Sequence, residues 1–570
     1  MKLLKVEDLC VQYPGKTKPA CQVSFQVETG ELLGIAGASG AGKSTAMLAL
    51  MGLLPKQVEI TSKAWEQRGT KVMIFQDASA SLNPLVRVGK QLTETIRAHQ
   101  KCTKREALEQ AELFLDEVGI SNPKQRMKQY PFEFSGGMKQ RVAIAIALAC
   151  KPDLIIADEP TTALDVTVQR QILDLLKRIA KETNTAVVLV SHDLGVIASM
   201  CSRVLVMQEG RIVEEGEIEQ IFLSPVHPYT KKLTDLAREL YQTPPKRVQK
   251  DMILKTAGLG RTFVRNSLFG NGRLLEAVEP LSFEIYRGET FGLVGESGSG
   301  KTTLARMLTG IIPPTCGSFS CEGEIQMIFQ EAAASFDPGF SLERILEEPL
   351  VIWKKLSREE RKKKITRMLQ LVRLEEINLR KTAASLSGGQ QQRTAVARAL
   401  LLEPELLICD ESLSSQDLLT QSQLLELLEE IQQKTGVSYL FISHDLQVVR
   451  RISHRVGVMY LGSMVEQGPT LDLYEDPWHP YTKELLRAVL PFDPRKASRQ
   501  KPLILKERGS GSAKEKQGCP YVTRCRYAME CCHRETPDTY QFGERKIRCF
   551  LYSEAHTKKR AKGYQMTSQI

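Results

Sequence analysis

The sequence predicts an α/β protein in which one parallel-sheet domain occurs twice, followed by a short basic tail rich in cysteine. Two observations carry the prediction. First, a series of motifs recurs in the same order: "GASGAGKST" (37–45) returns as "GESGSGKTT" (295–303), "MIFQDASASLNP" (73–84) as "MIFQEAAASFDP" (327–338), and "FSGGMKQR" (134–141) as "LSGGQQQR" (386–393). Further on, "LIIADEP" (154–160) returns as "LLICDES" (406–412), "VSHDL" (190–194) as "ISHDL" (442–446), and "HPYT" (227–230) as "HPYT" (479–482). Lys43 and Lys301 are 258 residues apart, and His192–His444 and His227–His479 both keep an offset of 252. Six motifs in one order, at offsets that differ by only a few residues, mark a whole-domain duplication. Second, each copy runs from an apolar strand through a glycine loop into a helical pattern. Each later supplies another apolar strand that ends in two acids, as strands buried in a parallel sheet do.

The first copy ends near "TPPKRVQKD" (243–251), where prolines and basic residues break the helical pattern. The stretch "KASRQKPLILKERGSGSAKEKQG" (496–518) is polar and Gly/Ser-rich, the composition of a flexible linker. The expected domains are therefore 1–245, 246–495 and a linker with a cysteine-rich extension over 496–570.

Composition narrows the class. With 42% apolar and 25% charged residues, the chain reads as globular. The apolar run "VAIAIALAC" (142–150) is about half of what spans a bilayer, and the N-terminus lacks a secretion signal, so the cytoplasm is expected. Of the net charge of +11, the part from Lys496 onward contributes +10, with 17 Lys/Arg against 7 Asp/Glu. The near-neutral remainder argues against a nucleic-acid partner, whose grip needs basic folded domains.

The motifs define a chemistry. "GASGAGKS" sits between the strand-like "ELLGIA" and the helical "TAMLALMGLL", the setting of a phosphate-binding loop. Its glycines let backbone N–H groups close on phosphate oxygens, and the helix N-terminus adds its dipole. Gly37, Ser39, Gly40, Gly42, Lys43, Ser44 and Thr45 form the first loop, and Gly295, Ser297, Gly298, Gly300, Lys301, Thr302 and Thr303 the second. Lys43 and Lys301 would neutralise β- and γ-phosphates. Mg²⁺ would lie between Ser44 and Asp158 in one copy and Thr302 and Asp410 in the other, with Glu159 and Glu411 as bases for the attacking water. Ser135-Gly136-Gly137 and Ser387-Gly388-Gly389 each open a helix and form another anion site.

In combination these motifs resemble the nucleotide-binding domains of ABC transporters over nearly all of 1–490. The resemblance implies two P-loop ATPase domains, each with a mostly parallel core sheet, an antiparallel β subdomain and a helical signature subdomain. It implies that Gln76 and Gln330 sense the γ-phosphate and that His192 and His444 contact it. Two ATP molecules would be held head-to-tail, Lys43 facing the Ser387 signature and Lys301 the Ser135 signature. Tyr13 is placed to stack on adenine, or else to pack in the core, with Phe263 the counterpart in the second copy. The pattern departs at Met138, where Gln is usual, at Ser412, where Pro is usual, and at "SSQD" (414–417). Two working sites are expected all the same.

The "HPYT" word, with "SLNP" after the first Gln, is similar to the ATPases of oligopeptide, dipeptide and nickel importers, here fused in one chain. As local structure it reads as a turn from which a helix begins at Thr230, clear of the phosphates. The tail "GCPYVTRCRYAMECCHRETPD…IRCF" resembles the extension of that subfamily, with Cys519, Cys525, Cys532 and Cys549 on the pattern and Cys531 extra. In some relatives it carries a [4Fe–4S] cluster. Residue composition alone leaves the cluster, another metal and reduced thiols on a disordered basic tail all open. The implied function is ATP hydrolysis that energises uptake of di- or oligopeptides, with nickel or a metal chelate as the alternative cargo. Partners would be two integral-membrane permease subunits and an extracytoplasmic substrate-binding protein, with this chain at the cytoplasmic face of the membrane. A soluble twin-cassette ATPase acting on ribosomes or DNA is the alternative of another class.

Overall fold

The structure, a computed structural model, describes residues 1–15, 19–162, 164–242, 251–267, 270–330, 332–412, 416–503 and 518–553. The expected boundary at 245/246, most of the 496–518 linker and residues 414–415 of "SSQD" lie outside them. The chain forms two compact units, one built on 1–239 with 417–419 and 488–503, the other on 240–416 with 420–487 and the described tail 518–553.

Among the described residues, ten strands form the sheet of the first unit: β1 (Lys2–Gln12), β2 (Cys21–Glu28), β3 (Leu32–Ala36), β4 (Glu59–Thr61), β5 (Ala64–Gln67), β6 (Lys71–Ile74), β7 (Leu154–Asp158), β8 (Ala186–Val190), β9 (Arg203–Gln208) and β10 (Arg211–Glu217). The order β9-β3-β8-β7-β6 is parallel, while β1, β2, β4 and β5 pair antiparallel to one another. Strands β7 and β8 are buried at every residue. A strand with no solvated face reads as a continuous apolar run rather than an alternation, which is why "LIIA" and "AVVLV" look as they do. The helical part comprises Val88–His99, Lys104–Glu117 and Gly136–Ala149; Thr103 and Glu106 cap the second of these reciprocally.

In the second unit the strands are β11 (Met252–Ser267), β12 (Gly270–Leu281), β13 (Glu284–Tyr286), β14 (Thr290–Val294), β15 (Cys316–Cys321), β16 (Ile325–Ile328), β17 (Leu406–Asp410), β18 (Ser438–Ile442), β19 (Arg455–Tyr460), β20 (Ser463–Pro469), β21 (Tyr540–Phe542) and β22 (Arg545–Ile547). The parallel core β16-β17-β18-β14-β19 repeats the first. Strands β11, β12, β13 and β15 make a separate antiparallel sheet. The tail strands β22 and β21 extend the main sheet beyond β20, with Ile547 opposite Glu466 and Lys546 opposite Gln467. The described part of the tail is therefore folded onto the second unit.

Candidate active sites

Each phosphate loop follows the C-terminal end of a parallel strand, the edge at which open α/β sheets bind ligands. Gly37 has φ 150°, and a Cβ there would stand 2.3 Å from the Met207 carbonyl oxygen; Gly295 has φ 153° and the same relation, 2.2 Å, to Met459. No side chain fits at these two points. A Cβ on Gly40 or Gly298 meets nothing within 4 Å, so the crest of each loop is open. Lys43 begins the helix Lys43–Met51, and its Nζ donates to the Gly37 and Ala38 carbonyls at 2.8 Å each. Lys301 Nζ donates likewise to Gly295 at 2.8 Å and Glu296 at 3.1 Å.

Around each lysine the predicted partners converge. Ser44 Oγ donates to Asp158 Oδ1 at 3.1 Å, and Thr302 Oγ1 to Asp410 Oδ1 at 3.2 Å. Gln76 Nε2 donates to Glu159 at 2.9 Å, and Gln330 Nε2 to Glu411 at 2.8 Å. His192 Nδ1 lies 2.9 Å from Glu159 Oε1, and His444 Nδ1 3.7 Å from Glu411 Oε2. A hydroxyl beside a carboxylate is an oxygen donor set suited to Mg²⁺, which takes few protein ligands and completes its shell with phosphate and water. Among the described residues no three His, Cys, Asp or Glu side chains are grouped to hold an ion unaided.

Burial tunes these groups. It raises Asp158 and Asp410, and the loop hydroxyls offset this only in part. Burial also lowers Lys43, against the pull of Glu159 and Asp158. For Glu159 burial acts upward, but the hydrogen bond and charge of His192, helped by the Thr162 hydroxyl and the Lys43 charge, overcome it and hold the carboxyl below its ordinary range. The His444 side chain is the main influence that lowers Glu411. An ionised carboxylate poised beside the loop is what a water-activating base requires. Replacing His192 by Gln should therefore remove the largest influence that opposes burial, raise the Glu159 carboxyl and move the acid limb of hydrolysis to higher pH. A pH–rate profile checks this, and an unmoved limb would show that His192 does not set the Glu159 ionisation.

Several features were not foreseen. Glu159 and Glu411 sit in the left-handed region, at φ 47° and 46°, a strain of ~1–3 kcal/mol each that is typical of functional positions. The "HPYT" helix begins at Pro228 rather than Thr230, and the Tyr229 hydroxyl accepts the Ala38 N–H of the phosphate loop at 3.0 Å. Tyr481 does the same for Glu296 N–H at 3.0 Å. The word thus braces the loop from behind. The 252-residue offset that it shares with the histidines was the available signal.

The signature serines cap their helices, Ser135 toward Met138 N–H and Ser387 toward Gln390 N–H, at 3.4 Å each. Gln390 returns a bond to Ser387 N–H at 3.1 Å, whereas Met138 has no acceptor to do so. A Cβ on Gly137 would stand 2.4 Å from the Val168 side chain, so that glycine is needed for packing. Tyr13 is half-buried against the first core, and Phe263 lies on β11 under the Arg261 guanidinium at 4.8 Å.

In the tail, Cys519, Cys525, Cys532 and Cys549 line one small cavity with His479 and Tyr521, and Cys531 is not among the lining residues. Burial pushes the Cys519 thiol up to about 11 and Cys549 to about 12, so these sulfurs are neutral thiols unless a cation stabilises the thiolate.

Known proteins match in both sequence and fold. The ABC transporter family model matches residues 21–162 and 278–414, and the model described as "Oligopeptide/dipeptide transporter, C-terminal region" matches 213–254 and 465–532. A protein of Pectobacterium atrosepticum named "Glutathione import ATP-binding protein GsiA" is 38% identical over 575 residues, covering 89% of this chain and 92% of that protein. One of the same name from Escherichia coli O6:H1 is 39% identical, covering 88% and 91%. Of solved structures, the archaeal ribosome recycling factor aABCE1, in complex with the ribosomal stalk protein aP1, superposes with a TM-score of 0.56 at 21% identity over 80% of this chain and 88% of that one. The RNase-L Inhibitor does so with a TM-score of 0.56 at 22% identity over 80% and 89%. At such identities these two show the fold alone. The chain belongs to the ABC transporter family, as two fused ATP-binding cassettes of the oligopeptide/dipeptide importer type, and it is an ATPase.

Proposed function

We propose that this chain energises import of peptide-like substrates, di- and oligopeptides and glutathione among them, through two separate membrane permease subunits fed by an extracytoplasmic substrate-binding protein. One observation carries the reading. In both copies the residues expected to bind phosphate and Mg²⁺ and to activate water stand together, and they are joined to the peptide-importer C-terminal region, whose tyrosine touches the phosphate loop. Relatives named for glutathione import, matched over nearly their whole length, support the substrate class. Among the described residues no helix is long and apolar enough to cross a membrane; the relatives named for import support work at the cytoplasmic face beside separate permeases. Uptake of labelled glutathione and of a labelled dipeptide, compared in cells with and without this gene, tests it. Loss of either uptake is expected, and loss of neither would contradict the substrate class.

In this reading Lys43 and Lys301 hold the β- and γ-phosphates, and Ser44 with Asp158 and Thr302 with Asp410 hold Mg²⁺, which neutralises phosphate charge when bound. Glu159 and Glu411 take the proton of the attacking water. Gln76 and Gln330, hydrogen-bonded to those glutamates, report on it, and His192 and His444 orient them. Tyr13 is assigned to the adenine ring, and the two signature caps to the phosphates.

The four cysteines that line the tail cavity are assigned to a [4Fe–4S] cluster, because thiolate sulfur is the donor such a cluster takes and Cys531 lies outside the lining. Anaerobically purified protein should then be brown, with iron and acid-labile sulfide near about four per chain. Cys531→Ser should leave both unchanged and Cys525→Ser should lower both. Zinc, or no metal, in such a preparation would contradict the assignment.

A further inference from the structure

The second phosphate loop carries a carboxylate that the first lacks: Glu296 stands where the first copy has Ala38. A negative charge inside a loop built for phosphates should repel them unless it is neutralised. The neutralising group comes from the tail. Arg524 Nη1 donates to both Glu296 carboxylate oxygens, at 3.1 and 3.0 Å, and the two side chains are only 4% and 5% exposed. The guanidinium also lies over the rings of Tyr460 and Tyr521, 5.8 and 5.7 Å from their centroids, and Tyr521 packs 5.5 Å from Tyr481, the tyrosine that accepts Glu296 N–H. The tail is anchored around this point by β22 on the edge of β20 and by the Arg548–Glu279 pair at 2.6 Å.

We propose that the cysteine-rich extension clamps the second phosphate loop, with Arg524 as the positioning residue that neutralises Glu296, so that ATP affinity at the Lys301 site depends on the docked tail. The proposal rests on the reading that the Lys301 loop binds ATP. A second consequence is a built-in asymmetry between the two ATP sites, since the Lys43 loop has no carboxylate to neutralise at Ala38.

The test is equilibrium binding of a fluorescent ATP analogue to the full chain carrying Lys43→Ala, which reports the Lys301 site. Arg524→Met should weaken binding by about tenfold, and Glu296→Ala added to it should recover most of that loss, the remainder going to Glu484, whose carboxylate lies 3.9 Å from Arg524. Arg524→Lys, which keeps the charge, should stay within about threefold of the parent and gives a reading should the Met variant fail to fold. Limited proteolysis of 518–553 reports tail docking separately. Unchanged affinity in Arg524→Met, or a loss that Glu296→Ala does not reverse, would overturn the clamp. Residual binding that survives Lys301→Ala in the Lys43→Ala background would instead overturn the ATP-site reading beneath it.

Discussion

In the Glu159→Gln, Glu411→Gln double variant, ATP hydrolysis should fall by about 10²–10⁴-fold while ATP still binds at both loops. The amide keeps the shape of the carboxylate but cannot take the proton of the attacking water. Both glutamates are held ionised by a neighbouring histidine, hydrogen-bonded by a glutamine and fixed in a strained left-handed backbone. Each single variant should retain part of the turnover. Phosphate release under saturating ATP, together with bound nucleotide after rapid filtration, measures both quantities. Full turnover in the double variant would remove both residues from catalysis.

The second large effect concerns stability. Arg545→Ala should destabilise the second unit by about 3–5 kcal/mol, because it leaves a buried carboxylate without its cation. Glu466 is fully buried; it accepts Arg545 Nη2 at 2.7 Å and the Trp478 and His479 N–H groups at 2.9 Å each. Arg545 itself stacks 3.7 Å above the Trp478 ring. The variant thus loses an ion pair and a packed surface at the start of the second "HPYT" helix. A fall in the melting temperature of the second unit by roughly 10 °C is expected from calorimetry. Replacing Glu466 by Gln in the same chain should recover part of it, because no charge is then left unpaired. A shift below about 2 °C would mean that the tail contributes little to the fold.

The fold was largely legible because duplication supplied its own control. Strands such as "LIIAD" and "LLICD", each paired at fixed distance with a glycine loop, specify a parallel sheet and its ligand edge without reference to tertiary detail. The residues that meet Lys43 and Lys301 were legible for the same reason, since motif spacing fixes what a strand end can deliver. Contacts made by residues far apart in sequence were not. Nothing near Arg524 points to Glu296, 228 positions away, and nothing in "HPYT" says that its hydroxyl reaches back 191 residues to Ala38. Backbone strain at Glu159 and Glu411 was equally hidden, because a glutamate in the left-handed region has no local sequence signature. Differences between the copies were legible as residues, but not their structural consequences: Met138 leaves one helix cap incomplete, and the tail strands occupy one sheet edge alone among the described residues.

The central claim, that this ATPase drives import through separate membrane subunits, is tested most directly by affinity purification of the tagged chain from detergent-solubilised membranes, followed by an ATPase assay of what is recovered. The account predicts two co-purifying integral-membrane proteins and hydrolysis that rises when the peptide-loaded binding protein is added. Recovery of ribosomal particles with no membrane protein, and hydrolysis indifferent to the binding protein, would contradict it.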